Sequence, residues 1–445
     1  MLTAAALAGT VAWGSAIEVP GTAALNDQGY ARVDSVSCAS TGNCAAGGLY
    51  TDGSGFHGSV VSEQGGVWGT AIEVPGLSAG VSVVWSVSCA GAGDCAAGGW
   101  TAVDGSAEAF VADDANGVWG AATKVPGLAE LDVEFGDTGV TSVSCGSPGN
   151  CAAVGFYAAH TDKYGGPIDD GAFVVSEKNG QWGMAHPVPG VASVSCVGVG
   201  DCVAGGGAPN GQAFVVSARN GSWGESTKVP GLGALDAGGG SHVTSVSCAS
   251  PGSCVAGGAY RYTPLGRRAH SFVVAETNGK WGDAIEVLGG PRPRRGSSWL
   301  ASVSCASVGD CAAGGWYYVG TGRAQRTQAY VAAERNGTWR ATTVPGIVAL
   351  NVGGYAQVAS VSCASAGNCA ATGYYTDRYH KRQAFVVAER GGVWGSAIEV
   401  PGTAALNAGG NALPSSVSCS RTGKCAVGGD YLDGSGHFQA FVTAP

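Results

Sequence analysis

The chain has 445 residues, of which 12 per cent are charged and 78 are glycine, and its formal net charge is −9. This charged fraction is far below that of disordered proteins, and the glycines follow no collagen-like period. No apolar run reaches about 18 residues, so no membrane-spanning helix is predicted.

Residues 1–12 precede the repeating part of the chain. They resemble the end of an apolar signal sequence with small residues at a cleavage site after Ala12, although no basic segment precedes them. A disordered or packed N-terminal extension is the alternative. Residues 13–445 are predicted to form one repeating body.

From residue 13 onward, four short apolar phrases recur in the same order. In the first full copy they are Ser35–Cys38, Cys44–Gly48, Gly58–Glu63 and Trp68–Gly76. Each phrase is rich in small or β-branched residues and is bounded by Gly, Asn, Asp or Pro, which is typical of strands. Each copy is therefore predicted to be a four-stranded sheet.

Every copy carries Ser-Val-Ser-Cys and a second cysteine six residues after the first, at a period of 51 to 58 residues. A glycine two residues before each second cysteine favours a hairpin loop of three residues whose last member has a positive φ. The two cysteines then face each other on paired strands, so one disulfide is predicted in each copy. The pairs are Cys38 with Cys44, Cys89 with Cys95, Cys145 with Cys151, Cys196 with Cys202, Cys248 with Cys254, Cys305 with Cys311, Cys363 with Cys369, and Cys419 with Cys425.

The paired cysteines also indicate the kind of cellular compartment in which the protein is found. Sixteen cysteines in strict pairs indicate an oxidising environment, and an extracellular protein is expected. Metal binding is the rival interpretation, but it usually requires Cys-x2-Cys knuckles or accompanying histidines, and the chain has neither.

The third and fourth phrases meet at Asn-Gly or Gly-Gly, a strong hairpin signal, whereas the other connections are long. Eight such units predict an all-β fold, a single eight-bladed β-propeller of four-stranded blades. The long link leads from the outer edge of one blade to the axis of the next, so Ser-Val-Ser-Cys is predicted to be innermost. A lone fourth phrase at Trp13–Gly21 and a lone third phrase at Gln439–Thr443 are predicted to pair and close the ring.

These phrases carry a resemblance to a known family. Gly-Gly at the end of the second strand, an apolar third strand, and Trp with Val-Pro-Gly in the fourth resemble kelch-type repeats, the blades of galactose-oxidase-like propellers, over residues 13–445. The cysteine pairs and the eighth blade depart from that pattern, so a secreted, cysteine-paired bacterial variant is expected. Nothing matches the copper ligands of the oxidases, so their activity and cofactor are not carried over. Propellers host many unrelated activities, and the resemblance implies a fold rather than a function.

The long links share one face of the predicted ring, and loops on a rigid scaffold commonly carry function. The links of blades five to seven are rich in arginine, and those of blades two and three are acidic. This basic arc could attract an anionic glycan, a phosphate-bearing polymer or an acidic protein surface, and solvated surface charge is the alternative. The candidate ligand-binding residues are Arg267, Arg268, Arg294, Arg295, Trp299, Arg323, Tyr379 and Arg382.

Aromatic residues follow the glycine pair in seven blades, and because they recur in register they are expected mainly to pack between blades. Aromatic residues farther out in the loops are better candidates for stacking on a sugar ring. These are Phe56, Phe135, Tyr164, Trp299 and Tyr379. Blade four has unusually short connections, which predicts a notch in the rim.

No catalytic constellation is recognisable: the seven histidines are scattered, and no metal-ligand spacing or cofactor motif is found. We therefore expect a secreted, non-catalytic binding module, with carbohydrate as the leading ligand class. A protein-interaction or adhesion scaffold is the first alternative. A glycan hydrolase or lyase with carboxylates over the central channel is the second. A monomer without a cofactor or a nucleic-acid partner is expected.

Overall fold

A computed structural model of the chain shows eight antiparallel sheets arranged as the blades of a propeller. Within each blade the strands pair in the order first, second, third, fourth. The structure describes residues 13–77, 80–103, 105–131, 137–161, 167–208, 210–236, 240–261, 268–287, 296–320 and 325–444. The predicted all-β, eight-bladed architecture is confirmed.

The strands of the blades follow the predicted phrases. The first strands are Arg32–Ser40, Val81–Gly91, Gly139–Ser147, Ser193–Val197, Ser241–Ser250, Ser298–Ser307, Ala356–Ser365 and Ala412–Cys419. The second strands are Asn43–Asp52, Asp94–Val103, Asn150–Thr161, Asp201–Gly207, Ser253–Arg261, Asp310–Val319, Asn368–Thr376 and Cys425–Leu432. The third strands are Gly55–Gln64, Ser106–Ala115, Pro167–Lys178, Ala213–Arg219, Ala269–Thr277, Arg326–Arg335, Arg382–Arg390 and Phe438–Thr443.

In six blades a glycine follows the tryptophan of the fourth strand, and the strand is in two pieces. The two pieces are Val67–Trp68 and Ile72–Glu73, Val118–Trp119 and Thr123–Lys124, Gln181–Trp182 and His186–Val188, Ser222–Trp223 and Thr227–Lys228, Lys280–Trp281 and Ile285–Glu286, and Val393–Trp394 and Ile398–Glu399. In blade six Arg340 replaces the glycine, and the strand Thr338–Thr343 is continuous. In blade eight the fourth strand is Ala16–Glu18.

Single helical turns follow the fourth strand in five of the links. They are Thr22–Leu25, Leu232–Leu235, Ile347–Leu350 and Thr403–Leu406, with a 3₁₀ turn at Leu128–Glu130. Each begins after a glycine with a positive φ, such as Gly21 at 91°. The left-handed conformation costs glycine little and redirects the chain from the outer edge toward the axis.

The serines of Ser-Val-Ser-Cys join each blade to the next around the axis. Ser35 Oγ in blade one accepts a hydrogen bond from Val87 N of blade two at 3.1 Å, and Ser37 Oγ accepts one from Cys89 N at 2.9 Å. The same two bonds recur at all eight junctions, at 2.9 to 3.3 Å, including the junction from blade eight to blade one. We call this set the serine ring. It satisfies N–H groups on the free edge of the innermost strands, so the predicted inner position is confirmed.

The second glycine of each Gly-Gly pair is required by the first strand, which lies against it. A Cβ at Gly48 would lie 2.0 Å from the carbonyl oxygen of Arg32, and one at Gly99 would lie 1.8 Å from that of Val83. The first strand bulges at this point, because the pairing skips one residue between Val33 and the next paired position. Any side chain here would push the innermost strand away.

Both tight turns contain residues with a left-handed backbone conformation (positive φ), as predicted. Gly42 and its seven counterparts have φ between 65° and 84°, and Asn116 and Gly117 have φ of 57° and 79°. The first turn differs in detail from the predicted three-residue loop. In blade one Ser40 pairs with Asn43, which leaves a turn of two residues, and a bulge separates it from the cysteine pair.

All eight predicted disulfides are present within their own hairpins. The Cα atoms of each pair are 3.9 to 4.0 Å apart, as expected for residues directly opposite on paired strands. No cysteine of the chain is left free.

The N-terminal strand completes blade eight. Ala16 pairs with Thr443 and Glu18 with Phe441, antiparallel to the third strand of that blade. The first and last segments of the propeller therefore share one sheet, as the lone phrases predicted. The possible signal segment, residues 1–12, lies outside the described residues.

Apolar side chains between neighbouring blades form the core. Between blades two and three, Val111 packs with Val140, Val143 and Phe173, all at most 6 per cent exposed. Burial of a phenylalanine side chain contributes about 1.5 to 3 kcal/mol. This packing gives the loops a rigid frame.

Candidate functional site

The two faces of the ring differ, as the strand order requires. On one face the two tight turns of a blade lie side by side: Gly66 N donates to Gly42 O at 2.9 Å, and Gly117 N donates to Gly93 O at 3.1 Å. We call this the turn face. The opposite side, the loop face, carries the connections from second to third strands and the links between blades.

Alternation along the second strand divides the aromatic residues that follow the glycine pair. The residue two positions after the pair is buried between blades in four cases, at most 4 per cent exposed: Tyr50, Tyr260, Tyr375 and Tyr431. The residue one position after the pair is only half-buried in four cases, near the loop face: Trp100, Phe156, Trp316 and Tyr374. The expected packing role therefore fits the first set, and the second set is open to a ligand.

An aromatic groove lies on the loop face between blades one and two, and we call it the blade-one/two groove. Its volume is about 720 Å³, and its walls include Tyr30, Phe56, Trp85 and Trp100. The ring of Trp85 lies 6.3 Å from that of Trp100 and 6.1 Å from that of Phe156. Phe56 is 46 per cent exposed. Rings fixed by one another and open to solvent offer flat surfaces for a sugar.

Charged side chains lie where blades eight and one meet, and one of them, Arg32, also lines this groove. Arg32 Nε donates to Asp34 at 2.9 Å, and Arg32 Nη1 donates to Tyr30 Oη at 3.1 Å. Burial raises the pKa of Asp430 in blade eight to about 7; positive Arg32 opposes this and negative Asp34 adds to it. Burial also raises the pKa of Asp34, against the effect of Arg32. Two carboxyl groups thus lie within electrostatic reach of each other.

A second cavity, the blade-four/five groove, has a volume of about 400 Å³. Gly207 and Gly211 of the short loop in blade four form one wall, and His242 and Trp299 form another. The His242 ring lies 4.9 Å from that of Trp299, which stacks on Trp316 at 6.0 Å. The short loop that predicts a notch at blade four thus contributes Gly207, Ala208 and Gly211 to the lining of this groove.

The structure separates the candidates proposed from the sequence. Arg268 is exposed beside the third strand of blade five, and Trp299 lines the blade-four/five groove. In blade seven, Tyr379 is 71 per cent exposed, and the Arg382 guanidinium lies 5.5 Å from the Tyr374 ring. Among the described residues, no contact joins Arg268, Trp299 and Tyr379 to one another. Six candidates lie outside the described residues: Phe135, Tyr164, Arg267, Arg294, Arg295 and Arg323.

Two further site residues, Asp34 and Trp85, were not among the sequence candidates. Both stand at the bulge of the first strand, just before Ser-Val-Ser-Cys. The other blades have only small residues there: Thr141, Ala192, Thr244, Ala301, Ala359 and Ser415. Comparison of this one position across the repeats would have singled out blades one and two. Asp430 carries a similar signal, because it follows the glycine pair where four other blades have an aromatic residue: Trp100, Phe156, Trp316 and Tyr374.

One cluster around His57 places a serine hydroxyl beside a histidine, as in a nucleophile–base pair, but the hydroxyl bonds to a carboxylate. Ser54 Oγ and Asp52 Oδ1 both lie 2.9 Å from His57 Nε2, and Glu73 Oε1 lies 3.3 Å from His57 Nδ1. Hydrogen bonds from Ser54 lower the pKa of Asp52 to about 2, so this carboxylate is ionised at neutral pH. Ser54 Oγ donates to this carboxylate at 2.7 Å, so the serine proton is directed to Asp52 and not to His57. The cluster ties the loop to the fourth strand.

Within the described ranges, no group of three or more histidine, cysteine, aspartate or glutamate side chains is arranged to hold a metal ion. No helix in that same part of the chain is both long and apolar enough to cross a membrane.

Comparison with known proteins supports the fold. No protein-family model matches the chain, and no curated protein matches it in sequence. Sqt1 of Chaetomium thermophilum, solved with the N-terminus of ribosomal protein L10, has a TM-score of 0.52 at 12 per cent identity, over 94 per cent of this chain and 97 per cent of that chain. YCF48 from Cyanidioschyzon merolae has a TM-score of 0.45 at 12 per cent identity, over 82 and 96 per cent. The propeller domain of the Trilobed protease from Pyrococcus furiosus has a TM-score of 0.42 at 10 per cent identity, over 83 and 98 per cent. The chain is thus similar to Sqt1 in fold, and identity this low carries no function across.

Proposed function

We propose that the protein is a carbohydrate-binding module whose ligand lies in the blade-one/two groove. The observation that carries the proposal is the set of aromatic rings around a cavity of about 720 Å³, next to the bonded pair of Arg32 and Asp34. Sugars stack their apolar faces on aromatic rings, and their hydroxyl groups bond to a few polar side chains beside them. The groove supplies both kinds of group.

The groove is also well suited to hold its shape before a ligand arrives. Trp85 directly precedes Ser86, whose hydroxyl accepts a hydrogen bond from Val143 N of blade three at 3.0 Å. The innermost strand is thereby fixed to the next blade at this point. A preformed site loses little side-chain and loop entropy on binding, which favours affinity.

We further propose that the protein acts outside the cell. Its eight disulfides are of a kind that persists in oxidising compartments. The same proposal includes three further points. The repeats are of the kelch-like type, the protein is a secreted bacterial one, and residues 13–445 form a single domain. The glycine pair and the tryptophan of each blade support them.

A glycan array followed by titration of each hit tests the carbohydrate proposal. Trp85→Ala and Trp100→Ala should each weaken binding about tenfold or more, because each removes one stacking surface. Tyr355→Ala, which removes a ring that is 50 per cent exposed and does not line the groove, is the matched control and should bind as the parent does. An array without hits, or parental affinity in Trp85→Ala, would reject the proposal and favour a protein-interaction or adhesion scaffold.

The carboxyl pair at blades eight and one favours one alternative, a glycan hydrolase. Burial raises the pKa of Asp430 to about 7, so it can hold a proton to donate near neutral pH, as a general acid must. Asp34, bonded to Arg32, would be the second carboxyl group of such a pair. Time-dependent shortening of a bound polymer that stops in Asp430→Asn, while binding persists, would establish the enzyme.

The basic arc makes an anionic glycan the ligand to test first. If Arg268 and Arg382 contribute, affinity should fall as salt rises, because exposed charges are screened over about 8 to 10 Å at physiological ionic strength. The double variant Arg268→Gln with Arg382→Gln should bind more weakly and show a flatter salt dependence, at parental thermal stability. A further variant also replaces Arg267, Arg294, Arg295 and Arg323 by glutamine. If it binds as tightly as the parent, the basic arc is only a solvated surface.

A further inference from the structure

On the turn face, an arginine joins blades six and seven through ion pairs. Arg335 is the last residue of the third strand in blade six. Its Nη2 lies 2.5 Å from Glu389 Oε1 of blade seven, and its Nη1 lies 3.2 Å from Asp310 Oδ1 of its own blade. One guanidinium group thus stands between two carboxylates from adjacent blades, a geometry that suits its planar fork of donors.

The same arrangement of ion pairs joins blades four and five. Arg219 again ends a third strand, and its Nη2 lies 3.2 Å from Glu276 Oε1 of blade five. Its Nη1 lies 3.9 Å from Asp201 Oδ1 of blade four. The positions are equivalent in the repeat: the aspartate begins a second strand, and the glutamate is the penultimate residue of the next third strand.

The junction between blades two and three keeps both carboxylates and lacks the arginine. Asp94 begins the second strand of blade two, and Glu177 is the penultimate residue of the third strand of blade three. The residue that ends the third strand of blade two is Ala115. The binding partners of a guanidinium group are therefore present without the side chain that supplies it elsewhere.

A cavity of about 230 Å³ occupies this junction, and Asp94, Ala115 and Glu177 all line it. Ala115 and Pro148 on its rim are exposed, so the cavity opens to solvent. At about 30 Å³ per water molecule, the space corresponds to about eight waters. It has room for a guanidinium group together with part of the chain that carries it.

Three buried polar atoms in the wall of this cavity have no hydrogen-bond partner among the described residues: Asp114 Oδ1, Ser147 Oγ and Glu177 Oε2. Glu177 is only 3 per cent exposed. Burying a carboxylate is costly, because it gives up its water, and here a backbone hydrogen bond from Cys151 offsets only part of that loss while Oε2 stays without a partner. Burial, with a smaller contribution from nearby Asp113, raises the pKa of Glu177 to about 7, and the hydrogen bond from Cys151 opposes this rise.

We propose that the cavity between blades two and three binds a guanidinium group from outside the chain, in the place that Arg219 and Arg335 take at their own junctions. A metal ion fits less well, since no three carboxylates converge on one point among the described residues. The guanidinium group comes either from an arginine side chain of a partner protein or from a small guanidinium compound. The site lies on the turn face and is independent of the carbohydrate proposal.

Agmatine, a small guanidinium compound, is the first probe, and its binding is measured by calorimetry. Glu177→Gln should weaken binding about tenfold or more, because it removes a charged acceptor. Ala115→Arg should abolish binding, because the chain then fills the site with its own arginine. Ala234→Arg, which adds the same charge at another exposed alanine, is the control and should bind as the parent does. Circular dichroism verifies that each variant is folded.

The opposite exchange gives a positive control. Arg335→Ala should open an equivalent space between Asp310 and Glu389, and agmatine should then restore part of the thermal stability lost. A peptide with blocked ends and one arginine distinguishes the two sources: tighter binding than agmatine indicates a partner protein, and weaker binding indicates a small compound. No agmatine binding by the parent at about 10 mM, or equal binding by Ala115→Arg, overturns the proposal and leaves the cavity to water.

Discussion

At the scale of single residues, the serine ring shows how one side chain can replace a missing strand. The innermost strand of a blade has no further strand to pair with on its axial edge. Ser88 Oγ accepts a hydrogen bond from Cys145 N of the next blade at 2.9 Å and so takes the place of a strand partner. The hydroxyl is short enough to bond without filling the channel.

Loss of one member of the ring should therefore be costly. Ser88→Ala leaves Cys145 N without its acceptor, and we expect the free energy of unfolding to fall by about 1 to 3 kcal/mol. Urea unfolding measures the change. Ser222→Ala, at an exposed serine in a hairpin, should change the free energy by no more than about 0.5 kcal/mol. Equal effects of the two substitutions would mean that the serine bonds add nothing to stability.

The titration of one buried residue, Glu63, should make the stability of the protein depend on pH. It is 2 per cent exposed, neither carboxylate oxygen has a partner among the described residues, and burial raises its pKa to about 7. The folded pKa lies above the unfolded value of about 4.3, so the folded state binds this proton more tightly. The stabilisation from that proton is complete below the unfolded pKa and is lost as pH rises through the folded pKa.

Glu63→Gln keeps the shape of the side chain and removes its charge. We expect this variant to be more stable than the parent at about pH 8.5, with the difference shrinking toward about pH 5, where the glutamate is itself largely neutral. Urea unfolding at the two pH values gives the comparison. Glu130→Gln, at an exposed position, should show no such trend. A constant difference between parent and Glu63→Gln would show that this carboxyl group does not titrate in the window.

At the scale of elements, each inner hairpin is closed by its own disulfide. In the chain-entropy model a bridge around so short a loop contributes about 2 kcal/mol by restricting the unfolded chain. The double variant Cys89→Ala with Cys95→Ala should lose about this amount in the free energy of unfolding and retain the blade. Non-reducing peptide mapping should find the other seven bridges unchanged. Bridges between blades in most molecules would show that the remaining pairs do not depend on hairpin geometry.

The elements also show what the sequence could predict. Turn residues such as Gly42 and Asn116 act locally, so the hairpins, the disulfides and the strand order were all predictable. The packing of Tyr50 and its counterparts between blades was predicted from their recurrence. Specific polar contacts between blades were not, because the chain positions that meet are far apart: Arg219 and Glu276 are separated by 57 residues. The blade-one/two groove depends on such contacts, and only part of it was predicted, through Phe56. The missed residue Trp85 has no local pattern and differs only from its counterparts in other blades.

At the scale of the whole molecule, closure depends on the N-terminal strand. Deletion of residues 13–21 removes Ala16–Glu18 and leaves the edge of Phe438–Thr443 without a partner. We expect this truncation to lower the melting temperature far more than deletion of residues 1–12. Thermal unfolding of the two truncated proteins gives the comparison. Equal melting temperatures would show that closure of blade eight adds little to the stability of the ring.

The serine ring also has a consequence for how such a molecule can change over generations. Each blade offers the same pair of acceptors to its successor and presents the same pair of donors to its predecessor. In these axial hydrogen bonds, every junction is therefore equivalent to every other. A duplicated or lost blade would still find matching neighbours, so the number of blades is set by the curvature that the blades can share. Unequal crossing-over between the repeats is then an available route to rings of other sizes, with the loops free to diverge independently in each copy.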